Sequence, residues 1–335
     1  MKILVVGGSR FVGHHFVQAA LAQGHELTLF NRGQSGPAPA GVEHRRGDRR
    51  VDLSALKQGR WDAVVDTCGY LPAEVAALAD LLHGRVGRYV FISSVSVYAS
   101  AARPNDEGCA LGHIDDPDTT VVDGRTYGPL KALCEAQVQR RFGDLALVLR
   151  PGLVVGPQDP THRFTHWPAR LATACDGEAV LAPGRPSDPI QWIDVRDLAH
   201  FALLGLGTAL AGPFNVASAP GSATMGELLA TCAQAAGVAP RLVWHDMAAL
   251  QAQGLAPWTD LPLALPDDDA HRGFMAHDTR KALAAGLRIR PLADTVADTL
   301  AWWRSLPARP QTGDRPGLDG ERERAVLAAL ATRPT

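Results

Sequence analysis

Lysine is scarce in this chain. Four residues (Lys2, Lys57, Lys131 and Lys281) stand against 29 arginines, so each lysine draws attention to its position. Cysteine is also sparse. The five (Cys68, Cys109, Cys134, Cys175 and Cys232) are odd in number, widely spaced and never in a C-x-x-C pair. That pattern argues against a disulfide framework and against a structural zinc site. Neither sign of charge is in excess: 33 basic side chains face 35 acidic ones, a net charge of −2. A general nucleic-acid binder would carry a strong basic surplus, so nucleic acid is not an expected partner. No apolar run approaches the ~20 residues of a membrane span. The opening MKILVVGGS reads as a strand and a turn rather than a signal peptide, and the cytoplasm is the expected compartment.

What the chain does have is a core. Its 46% apolar and 20% charged composition excludes bulk disorder, and 335 residues fit two domains, or one large α/β domain with an appendage. Apolar runs rich in β-branched residues read as buried parallel strands at 3–6, 27–30, 63–65, 89–92 and 145–149. Helical patterns lie between them, around 12–23, 73–82 and 129–142. This rhythm predicts an α/β fold, a doubly wound parallel Rossmann sheet with a smaller, mostly helical C-terminal substrate domain. The expected boundaries are 1–156 for the nucleotide-binding domain, with segments returning to it within 188–217, and 157–305 for the substrate region. Residues 306–335 read as a linker and a polar helix, and 260–277 as a long loop.

Gly7-Gly8-Ser9-Arg10-Phe11-Val12-Gly13 directly follows the first strand and opens the first helix. Glycines there allow a tight turn and let backbone N–H groups approach a pyrophosphate at the helix N-terminus. Tyr127 and Lys131 are four residues apart on one helix face. A neighbouring ammonium favours the phenolate, so such a pair can move protons near neutral pH; a solvated surface pair is the plain alternative. Ser93 and Ser94 end a buried strand at its carboxyl tip, where ligands bind, and Ser94 can hold a substrate oxygen against the Tyr127 hydroxyl.

Taken in order, these motifs resemble the extended short-chain dehydrogenase/reductase superfamily of NAD(P)-dependent epimerases, dehydratases and reductases. The resemblance spans about residues 1–305. It rests on the glycine turn, Gly47-Asp48, Ser93-Ser94-Val95-Ser96-Val97-Tyr98, Tyr127-Gly128-Pro129-Leu130-Lys131, Leu149-Arg150-Pro151-Gly152 and Trp192-Ile193-Asp194-Val195-Arg196-Asp197. It implies a catalytic triad of Ser94, Tyr127 and Lys131, in which Lys131 binds the nicotinamide ribose and lowers the tyrosine pKa. It also implies cofactor contacts from Asp48 and Arg49 near the adenine, from Thr67-Cys68-Gly69, from Ser93, and from Pro151-Gly152-Leu153 beside the nicotinamide.

Two departures from the family pattern bear on the cofactor. Arg10 stands at the middle glycine of the turn, and Phe30-Asn31-Arg32-Gly33 replaces the usual acidic end of the second strand. A carboxylate there would repel a 2′-phosphate, whereas guanidinium groups bind one, so NADP is expected rather than NAD. Both arginines merely solvated, or Arg32 stacked on adenine, is the alternative.

Candidate substrate residues are Ser96, Arg163, His166, Arg185, Gln191 and Trp258, in or near the segments 157–167 and 183–191 and the loop around Trp258. His162-x-x-x-His166 has metal-ligand spacing but lacks a completing set, so no metal is expected. The expected function is an NADP-dependent reductase or dehydrogenase acting on a small polar carbonyl or hydroxyl compound, as a monomer or homodimer. A nucleotide-sugar epimerase or dehydratase with tightly held NAD is the first alternative. The GGSRF turn also resembles that of chloroplast stem-loop RNA-binding proteins, which leaves an RNA-binding role as a third reading.

Overall fold

The computed structural model describes residues 1–308, 310 and 315–331. Part of the expected linker, residues 309 and 311–314, therefore lies outside the described residues. Along the chain run β1 (Lys2–Val6), α1 (Phe11–Ala22), β2 (Glu26–Asn31), β3 (Glu43–Arg46), β4 (Ala63–Asp66), α2 (Pro72–Leu82), β5 (Tyr89–Ile92), α3 (Tyr127–Phe142), β6 (Ala146–Pro151) and β7 (Leu153–Val155). There follow α4 (His166–Leu171), β8 (Ala179–Pro183), β9 (Trp192–Asp194), α5 (Val195–Leu206), β10 (Gly212–Val216), α6 (Met225–Ala236), β11 (Arg241–His245), α7 (Met247–Ala252), α8 (Arg280–Ala284), α9 (Leu292–Ser305) and α10 (Gly320–Ala331).

These elements form two compact units. The first comprises Met1–Val154, Trp192–Ala219 and His277–Ile289. Its seven strands lie in the order β10-β6-β5-β4-β1-β2-β3, all parallel. Because successive side chains on a strand face opposite ways, each strand feeds two cores. Ile3, Val5, Leu27, Leu29, Val90, Leu147 and Leu149 pack with Phe16 and Val17 of α1 and with Leu198 and Phe201 of α5. Leu4, Val6, Phe30, Tyr89, Phe91 and Val148 face the other way, onto Val75, Leu78 and Leu82 of α2 and Cys134 and Val138 of α3. The sheet is thus doubly wound, and strand order reverses between β1 and β4, which places a ligand crevice at their carboxyl ends.

A polar network is sealed into this unit. Arg150 of β6 is 3% exposed and pairs with Glu135 of α3 through Nη2 at 2.7 Å and Nε at 3.0 Å. Arg150 Nη1 donates to the Tyr98 hydroxyl at 3.1 Å, and that hydroxyl donates to Asn215 Oδ1 at 2.6 Å. Asn215 Nδ2 in turn donates to the carbonyls of Asn105 and Asp278. Segment His277–Ile289, which nothing in the sequence assigns to the sheet, joins it through these bonds and through His277 stacked on Tyr98 at 5.8 Å.

The second unit comprises Val155–Gln191, Pro220–Ala276 and the described residues from Arg290 onward. Parallel strands β8 and β11 pair in it, with α4, α6, α7, α9 and α10 around them. A capping box of Thr224 and Glu227 starts α6, and left-handed Gly237 ends it. Helix α10 is anchored by one buried carboxylate: Glu323 accepts from the Leu181 N–H at 2.8 Å and from Arg170 Nε at 2.6 Å. Among the described residues no helix is long and apolar enough to cross a membrane.

Candidate active site

The glycine turn between β1 and α1 is built for close approach. A Cβ on Gly7 would stand 2.4 Å from Thr67 Oγ1, and one on Gly13 would stand 2.6 Å from the Gly8 nitrogen. Gly7 and Gly8 have φ of +102° and +82°, a backbone open chiefly to glycine. The first N–H groups of α1 have no partners inside the helix and carry its positive dipole end, which suits a pyrophosphate. Phe11 enters the helix at a strained φ of +35°. Asn31 at the tip of β2 braces the turn, donating to the Gly7 carbonyl at 2.7 Å and to Ser9 Oγ at 3.0 Å. The close approach that these glycines allow and the free N–H end of α1 fit the pyrophosphate of a dinucleotide.

Three arginines surround the β2 tip. Arg10 and Arg32 are exposed, and Arg10 Nε donates to Ser35 just beyond Arg32. The third, Arg46 at the end of β3, was not singled out by the sequence. A Cβ on Gly33 would lie 3.1 Å from its Nε, so its side chain crosses the same loop. None of the three is ion-paired to a carboxylate among the described residues. The only sequence hint was a basic run, His44-Arg45-Arg46, and it takes the parallel pairing of β2 with β3 to bring Arg46 beside Asn31.

At the carboxyl end of β5, Ser94 begins a short turn, accepting from the Ser96 N–H at 3.0 Å and donating to the Ser96 hydroxyl at 3.0 Å. Helix α3 starts hard against this turn. A Cβ on Gly128 would fall 2.0 Å from the Ser96 carbonyl oxygen, so only glycine lets the helix approach there. That approach brings Tyr127, the preceding residue, into hydrogen-bonding contact with Ser94. Lys131, one turn further on, is 3% exposed and donates to the carbonyls of Ile92 (2.6 Å) and Gly69 (2.8 Å). Its ammonium sits 4.1 Å from the Phe91 ring centre and 5.5 Å from that of Tyr70. Tyr70 is a neighbour the sequence did not flag. Its ring lies 6.4 Å from that of Tyr127, brought there by the chain leaving β4.

The electrostatics differ from the expectation. Burial brings the Lys131 amine down to about 8. Burial also pushes the Tyr127 phenol above its ordinary value, and the Ser94 hydrogen bond offsets this only in part. Lys131 was expected to lower the phenol, but burial sets the direction the other way. The ammonium is turned toward two backbone carbonyls instead, and at neutral pH the phenol also keeps its proton.

Other candidates are held in different roles. Arg49, expected at the cofactor, is 8% exposed in its side chain and grips buried Asp66 through two bonds of 2.7 and 2.9 Å. Burial opposes ionisation of Asp66, but the Arg49 guanidinium holds its carboxyl below the usual range. Ser93 is 4% exposed and donates its hydroxyl to Glu135, so it belongs to the buried network rather than to an open cleft. Asp48 accepts from the Arg50 N–H, and Thr67 donates to the Val6 carbonyl. Cys68 lies beside Arg49, at 3.6 Å from its Nη1. Gly152 follows β6 next to Ala217, with Pro151 before it and Leu153 opening β7.

In the second unit, His166 was expected to meet substrate. It is instead 4% exposed, with Arg315 Nη1 3.2 Å from its Nδ1 and Gly317 pressed against its ring; burial drives its pKa down to about 3. A segment 149 residues away in sequence covers it, which no local pattern reveals. His162 has left-handed φ (+53°) and stacks on Trp302 at 5.9 Å. Among the described residues, no group of three His, Cys, Asp or Glu is placed to hold a metal. Gln191 is buried, and Arg185 is paired to Asp188 and Asp267. The Arg163 guanidinium lies 5.8 Å from the Trp258 ring centre, and Trp258 itself has φ +64°.

Comparison with known proteins agrees with this layout. The family model described as "NAD dependent epimerase/dehydratase family" matches residues 3–79 and 73–217. The chain is 28% identical over 268 residues to the Arabidopsis thaliana chloroplast stem-loop binding protein of 41 kDa b, covering 73% of this chain and 66% of that protein. It is 29% identical over 269 residues to the 2-alkyl-3-oxoalkanoate reductase of Stenotrophomonas maltophilia, covering 72% of this chain and 77% of that one. The fold matches the Thermus thermophilus UDP-glucose 4-epimerase complex with NAD at a TM-score of 0.61 and 21% identity, over 91% of this chain and 99% of that one. With the family model spanning well over half of its length, the chain belongs to the NAD-dependent epimerase/dehydratase family, the extended short-chain dehydrogenase/reductase enzymes that work with a nicotinamide cofactor.

Proposed function

We propose that the chain is an NADP-dependent reductase or dehydrogenase acting on a carbonyl or hydroxyl carbon through Ser94, Tyr127 and Lys131. The observation that carries this reading is the Tyr127 phenol set against Ser94 at the carboxyl edge of the sheet, with the buried Lys131 ammonium one helical turn away. When bound, the nicotinamide supplies or accepts a hydride. In the reducing direction Ser94 orients the carbonyl oxygen and Tyr127 gives it a proton, so that the carbonyl carbon becomes an alcohol carbon. The phenol holds its proton throughout the neutral range, which is the form that this direction needs. Two of the three Lys131 donors are spent on carbonyls, and the third is left for a ribose hydroxyl. Cofactor affinity is therefore expected to fall as pH rises through about 8, where the amine loses its charge, and Lys131→Met should abolish the step. Fluorescence titration of NADPH across pH checks this.

The arginines at the β2 tip support NADP. Each charge-assisted contact to a 2′-phosphate is worth about 1.5–3 kcal/mol, roughly ten- to a hundred-and-fifty-fold in affinity. Arg32→Ala and Arg46→Ala should each weaken NADP by such a factor and leave NAD nearly unchanged. Equal weakening of both cofactors would place these side chains on the adenine, and no weakening of either would leave them in solvent.

A second reading is a nucleotide-sugar epimerase that keeps NAD through the cycle, and the name of the Thermus relative favours it. Tightly bound NAD co-purifying with the protein supports that reading, and exchangeable NADP(H) the first. RNA binding, after the name of the Arabidopsis relative, needs a basic surface that a net charge of −2 does not supply.

A further inference from the structure

The second unit contains a cavity of about 190 Å³ whose walls come from four separate segments of the chain. Three of the chain's four methionines line it: Met225 at the start of α6, Met247 at the start of α7, and Met275. Ile190, Leu263 and Leu265 complete the apolar wall, and the three methionines are 2%, 6% and 7% exposed. Leu263 is held at φ +66°, a conformation that a branched side chain rarely adopts. Strain of this kind persists only where the surroundings over-determine it, and it clusters at ligand sites.

The rim is polar, and its cations are already paired with carboxylates. Arg185 Nε and Nη2 each lie 2.9 Å from a carboxylate oxygen, of Asp188 and Asp267 respectively. Arg272 pairs with Asp269, and His271 with Asp268. Asp188 cannot easily turn away, because its other oxygen accepts the Arg185 N–H and its own N–H is bonded back to the Arg185 carbonyl. A diphosphate reaching Arg185 would therefore stand beside carboxylates that it had itself left unpaired.

We propose that this cavity binds a short alkyl or aryl group and discriminates against nucleoside diphosphates. An apolar cavity of about 150 Å³ holds one benzene molecule, so this one takes an aryl ring or a chain of about six to eight carbons. Methionine walls adapt to several such shapes.

The test uses the full chain and two independent readouts. NADPH binding, followed by fluorescence, reports the cofactor reading alone. Binding of straight-chain 1-alkanols from butanol to decanol, followed by calorimetry, reports the cavity. Displacement of the bound alkanol by UDP and by dTDP is then measured in the same calorimeter. Alkanol affinity should rise roughly three- to fourfold per methylene until the cavity is full. Met247→Trp, which fills the space, should flatten that slope and leave the dissociation constant of NADPH unchanged; if the variant does not fold, the slope of the native protein decides alone. A flat response to chain length overturns the proposal, as does displacement of the alkanol by UDP or dTDP at micromolar concentration. A rising alkanol series without NADPH binding would leave the cavity standing and remove the reductase reading.

Discussion

Replacing Tyr127 with phenylalanine is expected to lower kcat by roughly 10²–10⁴ while changing cofactor affinity little. The substitution keeps the ring and its packing near Tyr70 but removes the only proton that the phenol could transfer. Lys131 cannot take over, because its amine is held by the carbonyls of Ile92 and Gly69. Ser94 cannot either, since an ordinary hydroxyl beside Ser96 is too weak an acid to supply the proton at neutral pH. Steady-state rates with saturating NADPH, set beside an NADPH titration, separate the two effects. Near-full activity in Tyr127→Phe would remove this residue from the chemistry and leave the Tyr/Lys spacing a feature of helix packing.

The largest effect on stability is expected at Glu135. Its side chain is 8% exposed and neutralises Arg150, itself 4% exposed in its side chain. Removing one partner of a buried pair leaves the other charge uncompensated, at a cost of about 3–5 kcal/mol. Glu135→Ala should therefore shift the urea midpoint of unfolding sharply downward. It also strips the acceptor from the Ser93 hydroxyl. The double replacement Glu135→Met with Arg150→Met should recover much of the loss, because no buried charge remains. If the double variant is no more stable than Glu135→Ala, the role of the network lies in fixing Tyr98, Asn215 and the Asp278 carbonyl rather than in charge balance.

The sequence by itself determined the features whose causes are local. A glycine turn between a buried strand and a helix requires only neighbouring residues, and the i, i+4 spacing of Tyr127 and Lys131 puts both on one helix face whatever surrounds them. Strand-and-helix alternation likewise carried the doubly wound sheet, since each element advertises its buried face by its own period. The tertiary structure decided what depends on partners far along the chain. Arg49 looked like a cofactor contact until Asp66 was found to hold it, and Ser93 until Glu135 accepted its hydroxyl. Arg46 became a candidate only through the pairing of β3 with β2, and His166 ceased to be one only beneath Arg315 and Gly317. Lys131 was legible as a functional residue, but the direction in which it points was not. Where a long charged side chain finds its carbonyls or carboxylates is set by which strands lie side by side, and that is a property of the folded chain.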